Sequence, residues 1–235
     1  MSYSLSLKLF WRELKSGQLI IMFFALVLAV ATVSSISLFT DRLERALITE
    51  TQEFLGGDLK FESNDLLEDD TYEKIQKLNL KASEMVQFAS MLSSKGSLQL
   101  ASIKAVDRNY PLVGEMELQS QSLKEIAKNP PRKGQVWLDR RLMDILDLKI
   151  GQKVGIGDAD FFFSHIIISE PDRGSNSFAF AAKAIINIED LASTNVIQPG
   201  SRVRFASLYV GEKDEILLLK NILENAKQPG DDIRE

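Results

Sequence analysis

Twenty-five consecutive residues, Ser16 to Thr40, carry no charged side chain. A helix rises about 1.5 Å per residue, so about 20 apolar residues cross a hydrocarbon core about 30 Å thick. The centre of the run, Leu19-Ile20-Ile21-Met22-Phe23-Phe24-Ala25-Leu26-Val27-Leu28-Ala29-Val30-Ala31, offers no polar face. A soluble helix apolar on every side must lie at the heart of a large domain. A membrane span is the reading that fits, with Leu19, Phe23, Phe24, Leu26 and Leu28 expected against lipid. Ala29-Val30-Ala31 also has the small-x-small form of a signal-peptidase site, but the uncharged run continues for nine residues past it. An uncleaved anchor is therefore expected.

The head before the span places Leu7, Phe10, Trp11 and Leu14 on one helical face, with Lys8, Arg12 and Lys15 beside them. That pattern predicts a helix lying in the membrane interface. The Lys/Arg asymmetry across the span favours a cytoplasmic N-terminus. From Asp41 to Leu55 no helix breaker occurs, and Leu43, Leu47 and Phe54 fall near one face. These three are expected to pack a helical stalk against a partner helix, and Gly56-Gly57 is expected to end it.

Past the glycines the periodicity changes. Asp58 to Glu62 alternates as a strand, and Asp70 to Leu78 reads as a short helix. Runs Glu84–Ser93 and Ser97–Val106 flank Ser94-Lys95-Gly96 as a hairpin. Polar residues 120–133, with Pro130-Pro131, read as a linker or excursion. Short strands follow at Gln135–Leu138, Val154–Ile156, Phe161–Ser169 and Ala184–Ile188. Arg202–Val210 and Lys213–Ala226 close the series as strand and amphipathic helix, with Ile216, Leu219 and Leu223 toward a sheet. The expected fold class is α+β.

Chemistry is sparse. The chain has no cysteine and one histidine, His165, so thiolate sites and histidine metal clusters are excluded. No phosphate-binding Gly-x-x-x-x-Gly-Lys-Ser/Thr loop occurs, and Gly155-Ile156-Gly157 lacks the third glycine of a dinucleotide fingerprint. Acidic pairs Asp69/Asp70 and Asp158/Asp160 read as solvated loop carboxylates, and Phe161-Phe162-Phe163 as core. Lys8, Arg12 and Lys15 against Glu13 leave the head at +2, so the chain after Thr40 carries −7 of the net −5. Such an acidic balance argues against nucleic acid as a partner. No catalytic, cofactor or metal residue is expected.

Several stretches, taken in order, resemble the permease subunits of FtsX-like, MacB-type ABC transporters, and in particular their YbbP-like branch. They are Phe10-Trp11-Arg12-Glu13, Phe54-Leu55-Gly56-Gly57-Asp58, Lys104-Ala105-Val106-Asp107 with Tyr110-Pro111, and Leu138-Asp139-Arg140-Arg141-Leu142. Leu148-Lys149-Ile150-Gly151, Glu170-Pro171-Asp172 and Gln198-Pro199-Gly200-Ser201-Arg202-Val203 complete the series.

The resemblance implies an interfacial helix over 1–17, a transmembrane helix and stalk over 18–56, and a periplasmic domain in the bacterial inner membrane's outer space. That domain would be a porter-like α+β unit over 57–119 and 201–235, with an inserted β-rich subdomain over 120–200. It further implies a non-enzymatic subunit of a system exporting or extracting hydrophobic or lipid-linked compounds. The implied partners are a cytoplasmic ABC ATPase, the lipid bilayer, a second permease copy and a periplasmic esterase. Members of the family continue into further spans, so the chain is expected to be the N-terminal part of a permease. The competing expectation is a single-pass anchored sensor or ligand-binding module.

Overall fold

The computed structural model describes residues 17–120, 123–127, 129–172, 181–198 and 200–235. The head expected as an interfacial helix lies outside the described residues, as do the side chains of 18–19 and 45–54. The chain divides into two compact units, Met1–Glu50 and Thr51–Glu235.

Helix α1 (Gln18–Leu55) is uninterrupted over 38 residues, about 57 Å at the helical rise. Within it Ile20–Glu44 is long and apolar enough to cross a membrane, and none of its most apolar window is buried. Thr32 Oγ1 donates to the Leu28 carbonyl at 2.7 Å, satisfying its hydroxyl inside the helix.

The second unit contains β1 (Leu59–Ser63), α2 (Asp69–Gln76), β2 (Lys81–Ser94) and β3 (Ser97–Val106). Next come β4 (Met116–Ser120), β5 (Leu123–Ala127), β6 (Gln135–Asp139) and α3 (Arg140–Ile145). β7 (Lys153–Ile156), β8 (Ala159–Ser169) and β9 (Lys183–Asn187) follow, then a 3-10 turn (Ile188–Asp190) leading into α4 (Leu191–Thr194). β10 (Val203–Val210), α5 (Lys213–Ala226) and β11 (Asp232–Arg234) end the series.

All the described strands belong to one sheet, ten of them in the order β11-β1-β10-β2-β3-β9-β6-β8-β4-β5, with β7 off that path. The antiparallel end, β11-β1-β10-β2, carries α2 and α5 on one face. There Ile75, Ile216, Leu219 and Leu223 bury against Leu59, Phe61 and Tyr209. At the other end β7 pairs with both β2 and β8. Strands β2, β3, β9, β6, β8 and β7 therefore close a ring, which removes the free edges an open sheet would present.

Inward residues of that ring fill its centre, including Phe88, Leu92, Ile103, Phe161, Phe163 and Ile186. Phe162, the middle residue of the triplet, points outward at 51% exposure because alternate strand residues face opposite ways. The excursion expected over 120–133 holds a strand, β5, and β4 ends at its start. Leu123, Lys124, Glu125 and Ile126 are all exposed, so no buried face marks β5 in its sequence. Strand β11, also without a sequence signal, pairs with the outer edge of β1.

Candidate functional site

Strand alternation sets the chemistry of the sheet's two faces. On β1, Leu59 and Phe61 face the helices, so Lys60 and Glu62 face the other way. The register pairs Lys60 with Leu208 and Glu62 with Ala206 on β10. It then pairs Ala206 with Met85 on β2, and Gln87 with Lys104 on β3. Lys104 in turn lies beside Ile185 of β9. Lysines on such a face ordinarily reach water, but here Tyr110 and the stretch Glu170-Pro171-Asp172 cover them, and all six of these residues are buried.

The covered charges pair completely. Lys60 Nζ lies 2.6 Å from Asp172 Oδ1 and 3.0 Å from Glu62 Oε1. Lys104 Nζ lies 3.2 Å from Glu170 Oε2 and 3.3 Å from Asp172 Oδ2, and donates to the Tyr110 hydroxyl at 3.3 Å. Lys183 binds the second oxygen of Glu170. Three lysines thus meet three carboxylates, and Arg234, itself paired with Asp232, reaches the second oxygen of Glu62 at 3.8 Å, so these groups carry no net charge when all are ionised. That balance is what makes the network's burial tolerable, since an unpaired buried charge is far costlier than a paired one.

Protonation follows from the same geometry. Burial alone would depress the Lys104 ammonium, but the carboxylates of Glu170 and Asp172 outweigh it and hold Lys104 well above the ordinary lysine value. Burial would raise Glu170, yet Lys104 and Lys183 keep it below the ordinary carboxylate range. The Tyr110 phenol is pushed up by burial against the pull of Lys104, so it stays neutral.

The end of α1 meets this network. Gly56 takes φ +77, the left-handed conformation that stops a helix, and a Cβ there would lie 3.1 Å from Asp172 Cβ and 3.2 Å from Leu208 Cδ1. A Cβ on Gly57 would approach the Tyr209 carbonyl oxygen to 2.9 Å. Glycine is needed at both positions, for conformation at one and for close approach at the other. Asp58 fixes the exit. Its N–H donates to the Tyr209 carbonyl at 2.9 Å, and its carboxylate accepts from the Gly211 N–H at 3.0 Å.

Of the other residues singled out from sequence, Phe23, Phe24, Leu26 and Leu28 lie on α1 with 62–70% exposure. Leu43 is 47% exposed, and Leu19, Leu47 and Phe54 have side chains outside the described residues. His165 sits in β8 with its Nε2 2.8 Å from Glu125 Oε1. Among the described residues no group of three or more His, Asp or Glu is placed to hold a metal ion.

Nothing in the sequence singles out Lys60, Glu62 or Lys183. Lys104, Tyr110 and Glu170-Pro171-Asp172 stand there only as separate stretches of a resemblance, and the structure gathers them at one place. The available signal was Lys104 itself, a lysine inside the otherwise apolar and small run Ala101-Ser102-Ile103-Lys104-Ala105-Val106.

No protein-family model matches the chain. Over 207 residues, 88% of its length, it is 36% identical to the uncharacterized ABC transporter permease YbbP of Escherichia coli (strain K12). It spans 25% of that relative. Its fold overlaps the periplasmic region of MacB from Actinobacillus actinomycetemcomitans with a TM-score of 0.52, covering 80% of this chain and 93% of that one. In sequence the chain resembles an ABC transporter permease, and in fold a MacB periplasmic region. At 12% identity the likeness to MacB concerns the fold alone.

Proposed function

We propose that the chain serves an ABC permease whose stalk and periplasmic core couple ATP hydrolysis, in a separate cytoplasmic subunit, to export or extraction of hydrophobic or lipid-linked compounds. In this reading the N-terminus is cytoplasmic, Ile20–Glu44 lies in the inner membrane and the α+β unit is periplasmic. The porter-like part is 57–119 with 201–235, and 120–200 is its β-rich insertion. Leu43, Leu47 and Phe54 pack the stalk against another stalk helix, from the same permease or a second copy. A periplasmic esterase acts on what is extracted. The chain itself performs no chemistry.

The observation that carries the reading is the junction at Gly56-Gly57. A helix of 38 residues ends there against a buried, fully paired ionic cluster spanning β1, β3 and the Glu170–Asp172 stretch. Displacing Gly56 would disturb Asp172 and with it both Lys60 and Lys104, so the joint transmits movement instead of absorbing it. Co-purification of the complete permease with its ATPase, followed by ATPase assays, tests this. The expected result is stable association, with Gly56→Pro lowering permease-dependent ATPase modulation while leaving association intact. A complete permease that never associates with an ATPase removes the reading.

A further inference from the structure

The helix-covered face of the sheet holds a cavity of about 350 Å³, away from the ion network on the opposite face. Phe61, Phe205, Leu67, Tyr72, Ile188 and Leu191 supply its apolar and aromatic lining. Volumes of this order accommodate small organic ligands, and apolar walls with a few polar groups are the usual lining of such sites.

The polar groups here are one-sided. Asp65, Asp69 and Glu84 line the cavity, and no lysine, arginine or histidine does. None of these three carboxylates forms an ion pair with a described cationic residue, although Glu84 accepts from the Tyr72 hydroxyl at 3.3 Å. They stand in contrast to the carboxylates of the ion network, each of which has its lysine. Two phenylalanine rings and a tyrosine ring add faces that attract a cation and repel an anion. Leu66, 74% exposed, continues the apolar lining outward.

We infer that this cavity binds a small amphiphilic cation, an apolar or aromatic body bearing one ammonium group. The body fills the space between Tyr72 and Leu191 while the ammonium faces Asp65, Asp69 and Glu84. The inference rests on the cavity alone and does not depend on the transport reading, because binding is measured on the chain without an ATPase.

The test compares two probes with the same body and opposite charge, naphthylmethyl-trimethylammonium and naphthylmethanesulfonate. Each is dialysed to equilibrium against the detergent-solubilised full chain and against matched empty micelles. The expected result is saturable binding of the ammonium probe and none of the sulfonate. Neutralising the acids together (D65N, D69N, E84Q) should weaken the ammonium probe about tenfold or more, the usual scale for losing charged contacts. All three side chains are exposed, so the variant is expected to fold, and an unchanged melting curve checks this. Ile188→Trp, which fills the cavity, should abolish binding with the acids intact. Equal binding of both probes, no binding of either, or an acid-neutralised variant of unchanged affinity overturns the proposal.

Discussion

Lys104 shows how much a single side chain can hold in place. Its ammonium lies within 3.3 Å of Tyr110, Glu170 and Asp172 at once. Lys104→Met removes one of the two buried lysine charges of the network and leaves its three carboxylates facing two lysines, of which Lys183 is partly exposed. Breaking a buried pair from one side costs about 3 kcal/mol or more, so the urea midpoint should fall accordingly. Adding Glu170→Gln restores neutrality and should return about 1 kcal/mol or more, because residues in one network couple by that amount. If the two losses instead add, the side chains do not act as a unit.

The same residues set a pH window. Glu170 lies below its ordinary value of 4.5 in the folded chain, so its contribution is present above that pH and is lost as pH falls through the folded pKa. Lys104 lies above its ordinary value of 10.5, so its contribution is present below that pH and is lost as pH rises through the folded pKa. Between those limits the network should give a flat stability profile. Chemical denaturation at stepped pH should show the acid limb shrinking in Glu170→Gln.

Among the elements, the joint after α1 is the most sensitive to small changes. Gly57→Ala puts a methyl group 2.9 Å from a backbone oxygen that already accepts the Asp58 N–H. Neither atom can move without disturbing the β1–β10 pairing that begins at Leu59 and Tyr209. A loss of about 1–3 kcal/mol is expected, read as a drop in melting temperature, whereas Gly96→Ala meets nothing within 4 Å and should cost only its φ +84 strain.

Elements with a local period were legible from sequence. Helix α5 falls at the expected Lys213–Ala226, and the β2–β3 hairpin turns at Lys95-Gly96, both with positive φ. What escaped was non-local. The β7–β2 pairing and the parallel β3–β9 pairing join segments far apart in the chain and leave no nearby signal. The ion network escaped for a related reason. Leu59-Lys60-Phe61-Glu62 alternates as though one face met water, and residues distant in sequence, Tyr110 and Glu170–Asp172 among them, bury that face.

At the scale of the whole domain, β2 and β3 take part in two structures at once. The Lys81–Phe88 part of β2 pairs with β10 in the helix-covered sheet and its hairpin end pairs with β7, while β3 joins the closed ring through Ser102–Val106 against β9. The ion network crosses the same boundary, since Lys60 belongs to the edge near β11 while Lys183 belongs to ring strand β9. Neither part can therefore lose its order without exposing a buried surface of the other. Residues 51–235 form a compact unit containing all three apolar clusters, so that fragment should fold and melt as one cooperative transition. Trp137, the single tryptophan within it, is 4% exposed in ring strand β6 and reports on the ring. Far-ultraviolet dichroism at helical wavelengths reports chiefly on α2 and α5. The two signals should change at the same temperature, and Lys104→Met should move both together by several degrees. Separate midpoints would mean that the ring and the helix-covered sheet are independent domains sharing two strands, with the ion network too weak to bind them into one.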